Sequence, residues 1–398
     1  MLNVSEAVDQ LIKSAQPLGK ERRRAGVQSI PLLQGLGRVL AADITATVDV
    51  PPAANSAMDG YAFCVADAEA HNWVLPLSQR IPAGMAPDPL AAATATRIFT
   101  GGEIPEGADA VAMQEVCSEL EGMVHIDNSC LVGDNLRPQG QDIQAGQLIL
   151  SAGVRLRAQE MGLLASVGVD SISVYKPLKV GIFSTGDELV EPGSILQPGQ
   201  IYNSNRATLT GLIQSLGMKV VDLGSVPDRP EATEHILKKA AAQADVILSA
   251  GGVSVGEEDY VKDAVAKVGS LEFWKLAIKP GKPLAFGNVQ GKPFIGLPGN
   301  PASVFVTFMI LARPFLLACQ GCQNSPQLYL KAQAQFSKPG EKREVYLRGR
   351  LTDQGVQIHS NQSSGVLSSA CWGEVFVRQI SGESIQQGDW VDVLPYQL

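Results

Sequence analysis

Strand-like and helix-like segments alternate along residues 178–268, and this alternation limits the fold more than any other feature of the sequence. An apolar run followed by an amphipathic helical pattern is the repeating unit of a parallel sheet covered by helices. The sequence therefore predicts a parallel-rich α/β unit in this region. Its predicted elements are the strands Leu178–Ser184, Lys219–Leu223 and Val246–Ser249 and the helices Arg206–Leu216, Glu231–Gln243 and Tyr260–Val268.

The segments on either side of this unit have a different character. Residues 4–16 carry apolar side chains at helical spacing and predict an amphipathic helix. From about residue 46 to residue 144, short β-type stretches punctuated by glycine and proline predict a small all-β module. After about residue 327 the strand-like runs return, so the sequence predicts a second β domain at the C-terminal end.

Composition and charge exclude several classes of function. The 398-residue chain has a formal net charge of −8, whereas nucleic-acid and membrane-surface binders need a broad positive face. The longest apolar run, residues 302–312, ends at Arg313, short of the roughly 20 residues that a bilayer crossing needs, so we expect a buried helix.

Residues 1–10 lack the apolar stretch of a signal peptide, so we expect a cytoplasmic protein. Cys319 and Cys322 lack the nearby ligands of a zinc site and should be reduced structural thiols.

A glycine-rich loop, residues 251–256, follows the predicted strand Val246–Ser249. Ligands of open α/β sheets lie beyond the carboxyl ends of the strands, where glycines let backbone N–H groups approach phosphate closely. The loop matches neither the GxGxxG pattern nor a Walker P-loop. Phosphate binding and a merely tight turn both remain open on this pattern alone.

Four acidic residues follow the predicted strands of the α/β unit. Asp187 and Glu188 come after the first strand, Asp228 after the second and Asp259 after the glycine-rich loop. Converging carboxylates repel one another unless a cation lies among them, and Mg²⁺ takes such oxygen ligands. The alternative is helix capping, because acids favour helix N-termini. Four acids at one sheet edge favour a magnesium or phosphate site.

Lysines cluster farther along the chain. Lys279 and Lys282 flank a Pro-Gly turn, and Lys275 precedes them. Two ammonium groups held close together are unfavourable unless an anion lies between them, so the pattern predicts an oxyanion pocket. The alternative is solvated lysines beside a turn. The rigid turn at residues 297–301 adds a helix start at which Asn300 can be the cap and unpaired N–H groups face an anion.

Polar, glycine-rich loops also occur in the predicted small β module, at residues 55–62, 100–105 and 137–142. Loops of this kind often carry function, although each could be a turn. The four histidines lie in unrelated contexts, so a Ser-His-Asp hydrolase is a poor fit.

Five of these motifs, in this order, resemble the molybdopterin molybdenumtransferase family, which includes bacterial MoeA and the E domains of plant Cnx1 and gephyrin. They are Ser56–Ala62, Ser184–Leu189, Ser249–Gly256, Lys279–Pro283 and Leu297–Pro301. The resemblance implies a multidomain α/β plus β fold and a homodimer with shared active sites. The implied domains are an elongated N-terminal dimerisation domain (residues 1–45 and 145–177), an inserted small β domain (46–144), a MogA-like α/β domain (178–327) and a C-terminal β-barrel domain (328–398).

The resemblance also implies the reaction, in which adenylylated molybdopterin is hydrolysed with release of AMP and molybdate is inserted into its dithiolene in the presence of Mg²⁺. The implied catalytic residues are Asp59, Thr100, Asp142, Glu188, Asp228 and Asp259, of which Asp59, Thr100 and Asp142 come from the partner subunit. The implied substrate and phosphate ligands are Thr185, Gly186, Gly251, Gly252, Ser254, Gly256, Pro298, Asn300 and Pro301. The implied molybdate ligands are Lys275, Lys279, Lys282, Arg348 and Ser364, and the implied metal ligands are Asp187, Glu188, Asp228 and Asp259.

Two other functions remain as alternatives, a molybdopterin adenylyltransferase and a non-catalytic scaffold of the gephyrin type. The extra β domains and the Lys279–Pro283 motif argue against the first, and the absence of a long linker or fused domain from the sequence argues against the second. The expected partners are the adenylyltransferase and acceptor molybdoenzymes. Three positions depart from the family pattern, since Asn203 stands where aspartate is usual, Pro138 where a second basic residue is common and Asn361 where histidine is frequent.

Overall fold

The computed structural model describes residues 2–126, 128–253, 260–323 and 327–397, with the backbone alone at residues 22–25 and 273–274. Its α-helices are α1 (Val4–Ala25), α2 (Val65–Ala70), α3 (Ala158–Ser166), α4 (Ser204–Ser215), α5 (Pro230–Gln243), α6 (Tyr260–Val268), α7 (Pro301–Thr307), α8 (Arg313–Gln320) and α9 (Ser368–Trp372). The strands of the first half are β1 (Val27–Pro31), β2 (Ile44–Thr45), β3 (Asn55–Ser56), β4 (Gly60–Phe63), β5 (Val74–Ile81), β6 (Ala95–Ile98), β7 (Ala110–Met113), β8 (Cys117–Leu120), β9 (Met123–Ile126), β10 (Leu136–Arg137), β11 (Leu148–Leu150) and β12 (Ser171–Tyr175). Those of the second half are β13 (Lys179–Thr185), β14 (Leu189–Val190), β15 (Ile201–Tyr202), β16 (Lys219–Val226), β17 (Val246–Ala250), β18 (Gly269–Lys275), β19 (Ile278–Lys279), β20 (Pro283–Val289), β21 (Lys292–Leu297), β22 (Leu330–Gln333), β23 (Glu344–Thr352), β24 (Gly355–Ile358), β25 (Val375–Gln379) and β26 (Trp390–Pro395).

The N-terminal helix is longer than its sequence pattern predicts. Its apolar face is buried as expected, but the predicted end at residue 16 is wrong, because α1 continues past Pro17 to Ala25. Tertiary packing against α8 accounts for the extension. At Gly19 the two helices approach so closely that a Cβ would lie 2.8 Å from the carbonyl oxygen of Ala318. Packing of this kind overrides local helix preference.

Two short antiparallel pairs show how the chain leaves the N-terminal region and returns to it. β1 pairs with β12, and β2 pairs with β11. Between β2 and β11 the chain forms a separate six-stranded sheet in the order β7-β4-β6-β5-β9-β8. Apolar residues of these strands form their own core, so the predicted small all-β module is present.

The α/β unit is built on a six-stranded sheet in the order β16-β13-β17-β21-β20-β18. The first four strands are parallel, and β20 and β18 are antiparallel to their neighbours. The predicted parallel-rich sheet is confirmed. The strands β18, β20 and β21 were not predicted, because proline, glycine and charged residues interrupt their apolar pattern.

The apolar run at residues 302–312 forms the start of one long helix. Among the described residues this helix, Pro301–Gln320, is long and apolar enough to cross a membrane by length and composition, yet 83% of its apolar window is buried inside the protein. It continues from α7 through a π-helical segment, Phe308–Ala312, into α8. Its residues form the largest hydrophobic core with α1 and the sheet. The predicted buried helix is therefore confirmed.

The C-terminal strands close on themselves. The order β19-β23-β25-β26-β22 is completed by β24, which pairs with β23 and contacts the chain after β22 through an Ala334–Val356 bridge. β19 comes from the α/β unit and adds to β23 in parallel, so that Lys279 lies opposite Val345. This pairing fixes the lysine turn against the barrel.

Candidate functional site

A cleft of about 710 Å³ lies where the carboxyl ends of β13, β16, β17 and β21 meet the lysine turn and the barrel. The sequence motifs of the α/β unit converge on it, although they are far apart along the chain. The predicted site residues that line the cleft are Thr185, Gly186, Glu188, Asp228, Gly251, Gly252, Lys279, Lys282, Pro298, Asn300, Pro301 and Ser364.

The glycine-rich loop has a backbone that only glycine fits. Gly251 and Gly252 have φ angles of +97° and +67°. A Cβ on Gly251 would lie 2.7 Å from the carbonyl oxygen of Thr185, and a Cβ on Gly252 would lie 2.3 Å from Cγ2 of Val261. The backbone N–H of Gly251 also donates to the carbonyl of Leu297 at 3.1 Å, which ties this loop to the neighbouring turn. The two loops thus form one continuous wall of the cleft.

Two buried polar atoms on this wall lack a partner within the described chain. They are Oγ1 of Thr185 and Oδ1 of Asn205, and both residues line the cleft. The amide of Asn205 donates through Nδ2 to the carbonyl of Gly299 at 2.6 Å, so its orientation is fixed. A buried polar atom without a hydrogen bond costs about 1–3 kcal/mol. A polar ligand in the cleft would remove that cost.

Two of the four predicted metal-ligating acids are among the described residues that line the same wall. Glu188 and Asp228 line the cleft, whereas Asp187 is not among the described lining residues and accepts a hydrogen bond from the backbone N–H of Asp228 at 3.1 Å. No three acidic, cysteine or histidine side chains in the described chain form a group that could hold a metal ion. The described lining of the cleft offers two carboxylates, and Mg²⁺ is commonly bound by one or two carboxylates together with water and phosphate oxygens. Three predicted residues, Ser254, Gly256 and Asp259, lie outside the described residues.

The opposite wall carries the lysines, and an acid that the sequence did not reveal is paired with one of them. Nζ of Lys279 lies 2.7 Å from Oε1 of Glu341, and Nζ of Lys338 lies 3.5 Å from the same oxygen. The hydrogen bond from Lys279 holds the pKa of the Glu341 carboxyl below its ordinary value. Because Glu341 is 62 residues from Lys279 in sequence, no local pattern could have predicted this pair. An oxyanion that binds Lys279 must compete with Glu341.

Two predicted molybdate ligands do not line this cleft. Lys275 is exposed at the end of β18, where the antiparallel pairing with β20 places it. Arg348 is only 1% exposed, and its guanidinium donates to Oγ of Ser369 at 2.9 Å and to the carbonyl of Ser363 at 3.0 Å. Burial lowers the pKa of Arg348. Its contacts show that it holds the loop at residues 361–364 in place.

Arg348 nevertheless reaches a smaller cavity that adjoins the lysine wall. The residues that line this cavity, of about 300 Å³, include Lys279, Lys338, Arg348 and Ser363. Gln362 fixes its rim, since its side chain exchanges hydrogen bonds with the backbone of Arg348 at 3.0 and 2.9 Å. Three cationic residues line this cavity and Glu341 pairs with two of them, so the net positive charge that remains favours a compact anion.

Asn203, one of the three departures from the family pattern, is almost fully buried and has every polar atom of its side chain satisfied. Its Oδ1 accepts from the backbone N–H of Arg206 at 3.1 Å and from Oγ of Ser184 at 3.2 Å. Its Nδ2 donates to Oγ of Ser225 at 2.9 Å. Asn203 is therefore the N-cap of α4, a role that asparagine and aspartate fill equally well.

The small β module brings two further predicted residues together. Oδ1 of Asp59 accepts from the backbone N–H of Thr100 at 2.7 Å and from its Oγ1 at 2.8 Å. These two hydrogen bonds lower the pKa of Asp59. Neither residue, nor Asp142, is among the described residues that line the cleft, to which residues 46–144 contribute nothing. One chain alone does not bring them to the cleft.

Comparison with known proteins agrees with this architecture. Three family descriptions match in order: "MoeA N-terminal region (domain I and II)" at residues 2–168, "Probable molybdopterin binding domain" at residues 181–318 and "MoeA C-terminal region (domain IV)" at residues 330–396. A solved structure of the molybdopterin biosynthesis protein MoeA from Pyrococcus horikoshii is 27% identical, covers all of both chains and has a TM-score of 0.83. A second MoeA structure from that organism is 30% identical, covers 97% of this chain and 99% of its own, and has a TM-score of 0.73.

Two relatives of this chain are both named molybdopterin molybdenumtransferase. The molybdopterin molybdenumtransferase of Haemophilus influenzae is 42% identical over 375 residues, which are 92% of this chain and 93% of that protein. The protein of that name from Nostoc sp. is 36% identical over 379 residues, which are 91% of this chain and 86% of its own length. The similarity extends over nearly the whole of each chain, so this protein belongs to the molybdopterin molybdenumtransferase family.

Proposed function

We propose that this protein hydrolyses adenylylated molybdopterin, releases AMP and inserts molybdate into the dithiolene of the pterin. The observation that carries this proposal is the division of one cleft into two unlike walls. One wall presents a glycine loop and unpartnered polar atoms, and the other presents cationic side chains. A substrate with a phosphate linkage and a separate oxyanion requires both kinds of wall.

The glycine wall suits the phosphate part of the substrate. Positive φ angles at Gly251 and Gly252 leave no side chain between the backbone and a ligand. The hydroxyl of Thr185, which lacks a partner within the described chain, can donate to a phosphate oxygen. The amide oxygen of Asn205, which also lacks a partner there, can only accept and suits an N–H or O–H group elsewhere in the substrate. In the proposed reaction a water molecule attacks the adenylyl phosphorus, the anhydride P–O bond breaks with molybdopterin phosphate as the leaving group, and the AMP that forms is released. Glu188 and Asp228 line this wall and would orient the water.

The cationic wall suits molybdate. Molybdate is a compact dianion, and guanidinium and ammonium groups are suitable donors for it. We assign it to Lys279, Lys282 and Ser364, with Lys338 and Arg348 at the adjoining small cavity. The dithiolene sulfurs, rather than protein cysteines, would then become the ligands of molybdenum.

Mg²⁺ is part of the proposal as a bound cation that neutralises phosphate charge. Its ligands would be Glu188 and Asp228, which line the cleft, with Asp259 and oxygens of the substrate phosphate. We also propose a homodimer in which Asp59, Thr100 and Asp142 of one subunit complete the cleft of the other. The support for this sharing is that the small β module of the same chain contributes no described residue to the cleft.

The proposed reaction can be tested by following AMP release and cofactor formation from adenylylated molybdopterin, with and without molybdate and Mg²⁺. We expect the parent to do both and the Asp228→Asn variant to lose AMP release. A purified protein that forms adenylylated molybdopterin instead would be an adenylyltransferase. A protein that binds the substrate without releasing AMP under any condition would contradict the proposal.

The shared site has its own test. Chains carrying Asp59→Asn and chains carrying Asp228→Asn should each be inactive as homodimers, and mixed dimers should recover part of the AMP release because one of their two sites is intact. Co-purified mixed dimers that are folded and dimeric yet show no recovery would rule out sharing while leaving the reaction itself untouched.

A further inference from the structure

Two arginines lie near each other where the N-terminal region meets the long helix, close enough for their positive charges to repel. Arg155 follows the loop at residues 151–154, and Arg313 begins α8. Both are half-buried, and both line the same two cavities, of about 680 and 460 Å³. No described residue lines both the cleft and either of these cavities. The two guanidinium groups therefore stand between two cavities that the proposed reaction does not use.

These two positive charges are not compensated within the described chain. Arg313 makes no hydrogen bond or ion pair to any described residue. Arg155 donates through Nη2 to the carbonyl of Ser215 at 2.8 Å, but its buried Nε has no partner. Burial, and then the charge of Arg155, lower the pKa of Arg313. An arrangement that places like charges together in a half-buried site is unfavourable unless an anion joins it.

The one acid among the described residues that line these cavities is already occupied. Glu160 accepts from Nη2 of Arg157 at 2.5 Å and from the Nε of the same side chain, and the backbone N–H of Arg157 binds its other oxygen at 2.8 Å. Arg157 and Glu160 thus neutralise each other. Among the described residues, the formal charge that remains at the site is the +2 of Arg155 and Arg313.

The backbone of the long helix is altered next to the site. The π-helical segment ends at Ala312, directly before Arg313, and Gln327 donates to the carbonyl of Ile310 at 2.7 Å within it. Segments of π-helix inside α-helices occur frequently at functional sites. Here the segment sets the direction in which Arg313 leaves the helix.

We propose that Arg155 and Arg313 form a binding site for a phosphate group, separate from the cleft. Two guanidinium forks match a tetrahedral dianion in charge and in hydrogen-bond geometry. A single carboxylate would leave one of the two charges without a counterion. The apolar side chains of Val154, Met309 and Leu317 line the larger cavity, so there is room for an organic body beside the phosphate.

The experiment measures inorganic phosphate binding by calorimetry and by the shift of the thermal unfolding midpoint. The Lys279→Ala chain is the reference, because it weakens anion binding in the cleft and keeps both arginines. Adding Arg313→Gln should weaken phosphate binding by roughly 10- to 150-fold, the equivalent of one charge-assisted hydrogen bond. Without phosphate, Arg313→Gln should raise the unfolding midpoint, because it removes an uncompensated charge. If Arg313 had a purely structural role, Arg313→Gln would instead lower the unfolding midpoint.

Phenyl phosphate is the second probe. Tighter binding than inorganic phosphate would identify a phosphate ester as the ligand, and equal binding would identify the free ion. Both results support the site. Three results would overturn it: no phosphate binding by the reference chain, equal binding by the Arg313→Gln chain, or a change of oligomeric state in place of phosphate binding. The last of these would mean that a carboxylate of a second copy pairs with the arginines.

Discussion

The two walls of the cleft differ in what holds their shape and in whether their polar groups already have partners. The glycine wall keeps its shape by steric exclusion, since Cβ atoms at Gly251 and Gly252 would collide with Thr185 and Val261, and it has hydrogen-bonding groups that are still unmet. On the lysine wall, by contrast, Lys279 already has a partner, because it pairs with Glu341. A ligand therefore adds hydrogen bonds on the first wall and exchanges them on the second. Changes on the first wall should act through geometry and changes on the second through charge.

The largest effect is expected from Gly252→Ala. Its Cβ would lie 2.3 Å from Cγ2 of Val261 and 2.7 Å from Oγ1 of Thr185, so the loop must shift. A displacement of about 1 Å at a reacting group can cost about 100-fold in rate. We expect AMP release to fall by about that factor, and no concentration of molybdate should restore it.

Gly224→Ala is the matched control for this change. Gly224 has a φ of +78°, close to the +67° of Gly252, but a Cβ there would meet nothing within 4 Å. Both substitutions place alanine in a left-handed backbone, so only the collision differs. If the two variants lost AMP release equally, backbone strain rather than the shape of the glycine wall would be responsible.

Lys279→Ala tests the lysine wall. Removal of a charge-assisted hydrogen bond worth about 1.5–3 kcal/mol should raise the molybdate concentration for half-maximal cofactor formation by roughly 10- to 150-fold. High molybdate should rescue the variant, in contrast to Gly252→Ala. Lys331→Ala, which breaks a 2.7 Å ion pair with Asp392 elsewhere in the barrel, should leave the molybdate curve unchanged. Identical curves for Lys279→Ala and the parent would contradict the assignment.

Glu341→Gln should act in the opposite direction and more weakly. It frees Lys279 from an ion pair that is partly exposed, and such pairs are worth about 0.2–1 kcal/mol. The molybdate requirement should therefore fall by roughly 1.4- to 5-fold. Because Lys279 holds the pKa of Glu341 below its ordinary value, the carboxylate stays ionised above about pH 5 and the gain should not change between about pH 6 and pH 8.

Glu234→Gln is the control for that measurement. Glu234 forms an ion pair of the same 2.7 Å length with Lys267 and has a similar exposed fraction, 24% against 27% for Glu341. It lies between α5 and α6 and should not affect molybdate. A higher molybdate requirement in Glu341→Gln would show that the acid holds Lys279 in position instead of competing for it.

The sequence predicted the parts of the fold whose pattern is local. The strands β13 and β17 are continuous apolar runs, and the parallel sheet follows from them. The strands β18 and β20 were missed because their pairing at the edge of the sheet compensates for a weak pattern, with Pro283 at the start of β20. The length of α1 depends on its contact with α8, which the sequence of α1 does not contain.

The same distinction applies to the site. The glycine and Pro-Gly motifs could be found because their backbone geometry depends on residue type, and the structure places them in one cleft. The partner of Lys279 could not be found, because the parallel pairing of β19 with β23 brings Glu341 near it. Arg348 was predicted as a ligand from its charge, but its burial is a tertiary property.

The smallest effect is expected from Asn203→Asp, which restores the residue usual in the family on the glycine wall. The carboxylate keeps the cap on Arg206 and gains about 0.3–1 kcal/mol from the N-terminus of α4. It loses the hydrogen bond that Nδ2 donates to Oγ of Ser225, worth about 1 kcal/mol. Ser225 cannot easily donate to the new carboxylate, because it already donates to Glu191 at 3.0 Å. The gain and the loss nearly offset each other, so the unfolding midpoint should move by less than about 3 °C and AMP release should stay near that of the parent. A larger fall in the midpoint would show that this wall needs the amide as a donor, and that its polar groups are less freely available to a ligand than the comparison of the two walls implies.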